Sequence, residues 1–184
     1  MDATTNLKID HITIRRVRDI AQKCSNLLYA NMDIPLEDIE IISVVIEEFV
    51  DRFHHGKEES AYFPGTREKD AFSEDIRKFI IEHELGRRIA KMLRDHISEW
   101  RNGIDAREPV ARFLKSYSVF ITDHTGKEDR FFDAVSQSES LSAEEDQQLR
   151  MHYELCMHKV GGQARIEELM RLIQYLEERD WMIE

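Results

Sequence analysis

The sequence predicts an all-α protein, an up-down antiparallel four-helix bundle followed by a two-helix extension at the C-terminal end. Three observations favour this fold class. Only seven glycines and three prolines interrupt the 184 residues, so long helices can form. Apolar residues recur at spacings of three and four along most of the chain. One short motif occurs twice, as HHGKEE at residues 54–59 and as HTGKED at residues 124–129, which indicates an internal repeat of two helical hairpins.

Composition narrows the class of protein and its partners. Apolar residues make up 41% of the chain and charged residues 34%, which suits a helical domain with a sizeable core. The net charge of -11 argues against nucleic acid or an anionic membrane as a partner. Cys24 and Cys156 lack a CxxC spacing, which indicates a reducing compartment. The first residues contain no apolar run, so we expect neither a signal peptide nor a membrane span, and a cytoplasmic location.

The first hairpin lies in the N-terminal third of the chain. A first helix is predicted over residues 7–31, with His11 near its start, and Pro35 can open the second helix. That helix is expected to run to Tyr62 and to end at residues 63–65, Phe-Pro-Gly. Its apolar face, mostly in steps of four, is Ile39, Ile42, Ile46, Val50, His54 and Glu58. The histidine and the glutamate therefore continue the core face.

The second hairpin repeats this layout. Ser73 is expected to start the third helix, Asn102 and Gly103 to end it, and Pro109 to open the fourth. The face of the third helix is Ile76, Phe79 or Ile80, His83, Arg87, Ala90, Leu93 and Ile97. The face of the fourth helix is Val110, Phe113, Tyr117, Phe120 or Ile121, His124, Glu128, Phe131 and Val135. The second His/Glu pair is again in phase with apolar residues.

The chain changes character after the second hairpin. Ser142 and Glu145 have the spacing of a capping box, which predicts a fifth helix, and Gly161-Gly162 separates it from a sixth. We therefore place the bundle at residues 1–140 and a helical extension at residues 141–184. The extension is expected to pack on the bundle or on another subunit.

Each copy of the repeated motif sets a histidine and a glutamate four residues apart. Four residues advance an α-helix by about one turn, so both side chains leave the same face. Imidazole nitrogen and carboxylate oxygen are ligands that iron and zinc accept from proteins. The first helix of each hairpin would add one more histidine. The candidate metal ligands are therefore His11, His54, Glu58, His83, His124 and Glu128.

Four imidazoles and two carboxylates exceed the needs of one ion and suit two ions that the carboxylates bridge. The alternative, the same buried groups without metal, would cost on the order of several kcal/mol for each unpaired charge. His55 and Glu59 repeat the four-residue spacing one position out of register and could take the roles of His54 and Glu58. The phase of the apolar face favours the latter pair.

The extension contains weaker candidates for a second metal site. His152 with Cys156, and Glu154 with His158, also have the four-residue spacing. These pairs are not repeated and lack a matching histidine elsewhere in the sequence, so we do not expect a metal site there.

Residues 9–132, and the two H-x-x-x-E motifs in particular, resemble the hemerythrin or HHE cation-binding domains, which are four-helix bundles holding a non-haem di-iron centre. The resemblance implies two iron ions, joined by an oxo or hydroxo group and bridged by both carboxylates. It implies that the ligands, in the order of the helices, are His11; His54 and Glu58; His83; and His124 and Glu128.

The chain departs from the oxygen-carrying hemerythrins at two positions. They have a second histidine four residues after the one that matches His83, and here that residue is Arg87. They use an aspartate at the position of Asp129, where this chain offers Glu128 one residue earlier. The sequence is thus more similar to the branch with four histidines and two glutamates, which includes proteins implicated in iron-centre repair and nitric oxide handling. A missing histidine implies an open coordination position, which favours reactive chemistry or sensing over reversible oxygen carriage.

These observations predict a non-haem di-iron protein that binds or processes oxygen, nitric oxide or peroxide, in a stress-response or iron-centre-repair role. Whether it is an enzyme stays open. One alternative is a sensor or interaction module in which the metal state acts through the C-terminal helices. Another is iron or zinc binding and delivery, with zinc less expected than iron. The expected partners are a small diatomic ligand or peroxide, no nucleic acid, no membrane, and a second subunit or another protein on the C-terminal helices.

Overall fold

The computed structural model describes residues 1–67, 69 and 72–183, and every regular element in these ranges is helical, which confirms the predicted class. The α-helices are α1 (Ala3–Tyr29), α2 (Leu36–Val45), α3 (Phe63–Arg67), α4 (Phe72–Arg101), α5 (Arg107–Gln137), α6 (Ala143–Lys159), α7 (Gly162–Glu177) and α8 (Asp180–Ile183). Two π-helical segments, Ile46–His55 and Glu58–Tyr62, lie between α2 and α3. They join α2 and α3 into one long helix, which forms the predicted bundle with α1, α4 and α5.

The second bundle helix is therefore not a plain α-helix. Near its end the N–H of Phe63 donates to the carbonyl of Glu58, five residues back, as in a π turn. The prediction that residues 63–65 end this helix is wrong, because the helix continues to Arg67. A proline normally breaks an α-helix since its ring collides with the carbonyl four residues back, and the wider π turn before Pro64 relieves that collision.

The apolar core consists of two clusters of buried residues, one towards each end of the bundle. On α1, Leu7 belongs to the smaller cluster and Ile14 to the larger one, and His11 lies between them. On α5, Ile121 and Phe131 belong to the larger and smaller cluster, with the second His/Glu pair between them. The polar candidates thus occupy a layer of the core that is closed above and below by apolar side chains.

The C-terminal helices pack on the bundle of their own chain. Leu149 and Tyr153 of α6 join the smaller cluster, and Leu169, Ile173 and Leu176 of α7 join the larger one. This is one of the two placements that the sequence left open, while the boundary at residue 140 stays a prediction. Across residues 1–67, 69 and 72–183, no helix combines the length and the apolar character needed to cross a membrane.

The start of α6 has the predicted capping box. The backbone N–H of Glu145 donates to Ser142 Oγ at 3.3 Å, and the backbone N–H of Ser142 donates to Glu145 Oε2 at 2.8 Å. These two bonds satisfy backbone donors that a helix start otherwise leaves free. The cap fixes where the extension turns back along the bundle.

Gly86 of α4 faces the ring of Phe120 on α5. A Cβ added at Gly86 would stand 2.6 Å from Phe120 Cε1 and 2.9 Å from Cζ. The Phe120 ring also stacks on His124, with ring centroids 5.2 Å apart, so it cannot move away freely. We expect Gly86→Ala to lower the free energy of unfolding by about 1–3 kcal/mol, as overpacking usually does, in urea denaturation.

Gly126→Ala is the matched control for this substitution. Gly126 is also a glycine within a long helix, but its added Cβ would meet only Arg130 Nη1, at 4.0 Å. Alanine should raise the free energy of unfolding here by about 0.5–1 kcal/mol through its better helix propensity. A Gly86→Ala protein as stable as Gly126→Ala would contradict the close packing of Phe120.

Candidate metal centre

The fold brings the six candidate ligands and one further histidine together at the centre of the bundle. The first group, whose ligand atoms lie within 4.8 Å of one another, is His11, His54, Glu58 and Glu128. The second group, within the same limit, is His55, His83 and His124. All of these residues are buried, none more than 3% exposed. The residue that sequence reasoning left out of the set is His55.

The two glutamates connect the two groups. Glu58 places Oε1 3.3 Å from His54 Nε2 and Oε2 3.4 Å from His83 Nε2. Glu128 places Oε2 3.4 Å from His11 Nε2 and Oε1 3.3 Å from His83 Nε2. Each carboxylate therefore presents one oxygen to each group, from opposite hairpins of the bundle.

His55 enters the site because of the π-helical segment. In an α-helix, neighbouring side chains leave the axis about 100° apart, so His54 and His55 would not both face the core. A π turn holds more residues, so successive side chains are rotated less and both rings can turn inward. The His55 ring stacks on His83 with centroids 3.8 Å apart and meets the edge of His124 at 5.6 Å. The two histidines are thus not alternatives.

Carboxylates hold the outer nitrogen of four of the buried histidines. The Nδ1-to-oxygen distances are 2.8 Å for His11–Asp129, 3.0 Å for His54–Asp10, 2.7 Å for His83–Glu59 and 2.8 Å for His124–Glu82. A carboxylate that accepts the Nδ1 proton fixes the tautomer and ring orientation and leaves Nε2 free for a metal. We call these four residues the outer carboxylates. Asp10 directly precedes His11, and adjacent residues point apart on a helix, so its carboxylate binds the histidine of another helix and not its neighbour.

Each outer carboxylate also meets a cation. The pairs are Asp129 with Arg15, Asp10 with Lys57, Glu59 with Arg87 and Glu82 with Lys127. These contacts follow a longer repeat than the one used for prediction: acid-His-x-x-x-Arg at residues 10–15 and 82–87, and His-x-Gly-Lys-Glu-acid at residues 54–59 and 124–129. The acid-His-x-x-x-Arg half of this repeat was the sequence signal available for the outer carboxylates and their cations.

Arg87, which stands where oxygen-carrying relatives would have a histidine, lies behind the second group. Its Nη2 donates to Glu59 Oε1 at 2.6 Å and its Nε donates to Asp51 Oδ1 at 2.8 Å. Glu59 holds His83, and Asp51 Oδ1 is 3.5 Å from His55 Nδ1. Arg87 therefore supports His83 through the carboxylate that holds its outer nitrogen, whereas His55 Nδ1 forms no hydrogen bond with Asp51.

The pKa values of two neighbouring histidines in this site shift in opposite directions. Burial opposes the charging of His54, but Glu58 and Asp10 outweigh it and raise its pKa to about 9. For His55, burial together with His83, His124 and His54 outweighs the effect of Glu128 and lowers the pKa well below its usual value. The electrostatic environment thus keeps the ring of His55 neutral, the form in which imidazole binds metals.

The inner polar atoms of the site fit a cation. Both carboxylate oxygens of Glu58, Oε2 of Glu128 and Nε2 of His124 are buried without a hydrogen-bond partner in the described part of the chain. A buried polar atom without a partner costs on the order of several kcal/mol, and a cation between these atoms would offset that cost. Imidazole nitrogens with carboxylate oxygens are a donor set for iron or zinc.

The weaker pairs of the extension do not form a comparable group. His152 is exposed, and its Nδ1 lies 2.9 Å from the carbonyl of Gln148 on the same helix. Cys156 is buried instead, with its Sγ 3.2 Å from Ser60 Oγ. Glu154 and His158 are both exposed. The thiol that the sequence paired with His152 therefore faces the ligand-bearing helix of the bundle.

Comparison with known proteins supports the same assignment. A family model described as the hemerythrin HHE cation binding domain matches residues 2–135. Searches of curated proteins and of solved structures found no match. The matched range covers most of the chain and includes every residue of the two groups. The chain therefore belongs to the hemerythrin HHE family, whose domain binds metal ions.

Proposed function

We propose that the protein holds two iron ions in the two groups and binds or processes oxygen, nitric oxide or peroxide there. The observation that carries this proposal is that Glu58 and Glu128 each offer one oxygen to each group. Paired metal sites place ions about 3.5–4 Å apart, a separation that a carboxylate can span. When bound, an iron pair supplies two-electron exchange with a small ligand.

The two groups would give the two ions different surroundings. The first ion would have the imidazoles of His11 and His54 and one oxygen from each glutamate. The second would have three imidazoles besides those carboxylates. His55 would thus supply the third imidazole of the second ion, in place of the histidine that oxygen-carrying hemerythrins have at the position of Arg87. This revises the expectation that the missing histidine leaves an open coordination position on the second ion. The first ion, at His11 and His54, would therefore have fewer protein ligands than the second, so a small ligand would bind to the first ion.

The rest of the chain prepares the site for this ligand set. The outer carboxylates keep the Nε2 atoms turned inward, so no reorientation is needed when a metal binds. The apolar clusters above and below keep water away from the buried carboxylates. Such a dry and pre-oriented pocket favours a small uncharged ligand over larger or charged ones.

The test is to load the purified protein with ferrous iron without oxygen, remove loosely bound metal, and then admit air. We expect about two irons per chain, as a bridged pair requires, and ferric absorption bands that develop on exposure. Replacing air with nitric oxide or peroxide would show which ligand reacts. One iron or none per chain would contradict the proposal. Two stable ions without any reaction would instead support metal storage or delivery, and a preference for zinc would be read from the same metal analysis.

His55→Ala tests the revised ligand set. Losing a direct ligand should weaken binding of the second ion by more than the about 10–100-fold that the loss of an outer partner costs. We expect about one iron per chain after gel filtration against a mild chelator, where the wild-type protein keeps about two. The control is His152→Ala, since His152 is exposed and outside both groups. Unchanged iron content and spectrum in His55→Ala would remove His55 from the ligand set.

A metal-dependent sensor is the second candidate function, and one observation favours it. Helix α6 touches the ligand-bearing helix directly, where Cys156 Sγ lies 3.2 Å from Ser60 Oγ and 3.6 Å from the carbonyl of Gly56. Movement of that helix on metal binding would therefore reach the extension. Deleting the extension is not a clean test, because α7 contributes to the larger apolar cluster. Hydrogen exchange of α6 amides in the full chain, with and without metal, tests it instead, and unchanged α6 protection argues against a sensor.

A further inference from the structure

The outer carboxylates and the cations that they meet, together called the outer layer, match between the two hairpins except at one pair of lysines. Lys57 and Lys127 occupy the same position in the repeated motif, three residues after His54 and His124. Each meets the outer carboxylate of that histidine. The Lys57 side chain is only 1% exposed, whereas the Lys127 side chain is 38% exposed. The other two cations of the outer layer are also accessible, at 35% for Arg15 and 29% for Arg87.

The ammonium group of Lys57 is fully engaged inside the protein. It forms an ion pair with Asp10, whose carboxylate is 3.0 Å from His54 Nδ1. It also donates to Asn6 Oδ1 at 2.8 Å. Burying a charged ammonium is expensive, so a chain retains it only where partners of this kind surround it.

Two aromatic rings separate this ammonium from water. Lys57 Nζ lies 4.3 Å from the centroid of the Phe53 ring and 5.2 Å from that of the Tyr153 ring. Both distances are within the range of cation–π attraction. Tyr153 belongs to α6, so the extension covers Lys57, whereas pseudo-equivalent Lys127 has no such cover and is half-exposed. The extension therefore shields from water the part of the outer layer that contains Lys57 and Asp10.

We propose that Lys57 is a positioning residue of the metal centre: its buried ammonium holds Asp10 on His54 Nδ1, and Tyr153 of the extension keeps that ion pair out of water. This inference rests on the proposed metal function. It assigns the C-terminal extension a part in the metal site that the family match, which ends at residue 135, does not cover.

The burial explains why Lys57 should matter more than its counterpart. If Lys57 is lost, the Asp10 side chain, only 11% exposed, keeps a largely buried charge without its cation, so its carboxylate is drawn away from His54 towards the surface or other donors. If Lys127 is lost, water can reach Glu82 and hold it in place, since that side chain is 23% exposed. The outer partner of His54 thus depends on its lysine, while the outer partner of His124 does not.

The experiment compares Lys57→Met with Lys127→Met in the full chain. Methionine keeps most of the apolar stem of lysine and removes the charge. Affinity for Co²⁺ and Zn²⁺ is measured by competition with a chromophoric chelator, and the Co²⁺ absorption spectrum reports ligand geometry. We expect Lys57→Met to lower affinity by about 10–100-fold, as the loss of an outer partner does, and to change the spectrum. Lys127→Met should stay within about twofold of the wild type, since surface ion pairs contribute little.

A double variant separates positioning from packing. In Asp10→Asn/Lys57→Met the buried charges are both gone, while the asparagine amide oxygen can still accept the Nδ1 proton of His54. We expect it to bind metal at least about fivefold more tightly than Lys57→Met, as coupled neighbours do. Nitrogen-15 signals of His54 in the Zn²⁺-loaded proteins should show the Nδ1-protonated tautomer in the wild type and the double variant.

The outcomes distinguish this inference from the function on which it rests. A wild-type protein that takes up none of Co²⁺, Zn²⁺ and ferrous iron would overturn the proposed function and the role of Lys57 with it. Metal uptake by the wild type with an unchanged Lys57→Met would overturn the inference alone. So would an equal loss in both lysine variants, or a double variant no better than Lys57→Met, because either result would mean that Lys57 only fills space.

Discussion

Replacing Glu128 with glutamine is expected to abolish binding of both ions of the proposed pair. Its carboxylate meets histidines of both groups, with Oε2 3.4 Å from His11 Nε2 and Oε1 3.2 Å from His124 Nε2. Glutamine has nearly the same shape but offers one neutral oxygen, so at most one group keeps an acceptor there. We expect metal content to fall from about two ions per chain to well under one, measured by elemental analysis after gel filtration.

Glu108→Gln is the control, because Glu108 lies on the same helix with a side chain 60% exposed. It should retain the metal content and the spectrum of the wild type. If Glu128→Gln retained two ions with the wild-type spectrum, the bridging role of this carboxylate would be wrong.

Metal loading is expected to raise the melting temperature by about 8–16 °C. A ligand that binds only the folded state, at about 1,000 times its Kd, adds about 4 kcal/mol to the free energy of unfolding. For a chain of this length, 1 kcal/mol corresponds to about 2–4 °C. The buried carboxylate oxygens without partners would be the physical source of this gain, because a bound metal would satisfy them. Calorimetry of the protein with ferrous iron under nitrogen, and with a chelator, measures the shift.

The Glu128→Gln protein is again informative here, since it should show little of this shift at the same metal concentration. A wild-type melting temperature that stays the same with saturating iron and with chelator would contradict a metal site in the core. An equal rise in both proteins would place the stabilising metal elsewhere on this acidic chain.

Much of the bundle could be predicted because its signals are local. Helical spacing of apolar residues located four long helices, and the Ser142–Glu145 pattern located the start of α6 within one residue. The phase of His54 and Glu58 with their apolar neighbours pointed correctly to the core, because side chains on one helical face share an environment. These inferences need only the residues of one helix.

What escaped prediction depends on contacts between helices or on a change of helical geometry. Asp10 holds a histidine of another helix, a contact that the residues of α1 alone do not reveal. His55 faces inward because the helix is π-helical there, and no residue in that stretch predicts a π turn from the sequence. The continuation of the helix beyond Phe63 was missed for the same reason, because a proline at position 64 would normally end an α-helix.

The exchange of contacts between hairpins has a consequence for how the molecule assembles. The outer carboxylate of His11 comes from the second hairpin, at Asp129, and that of His83 comes from the first, at Glu59. Neither hairpin alone can therefore orient its own helix-one histidine. It follows that a metal-binding pocket exists only after the two halves have docked, so metal uptake belongs to the last stage of folding. Newly made chains would then remain metal-free until their tertiary structure is complete.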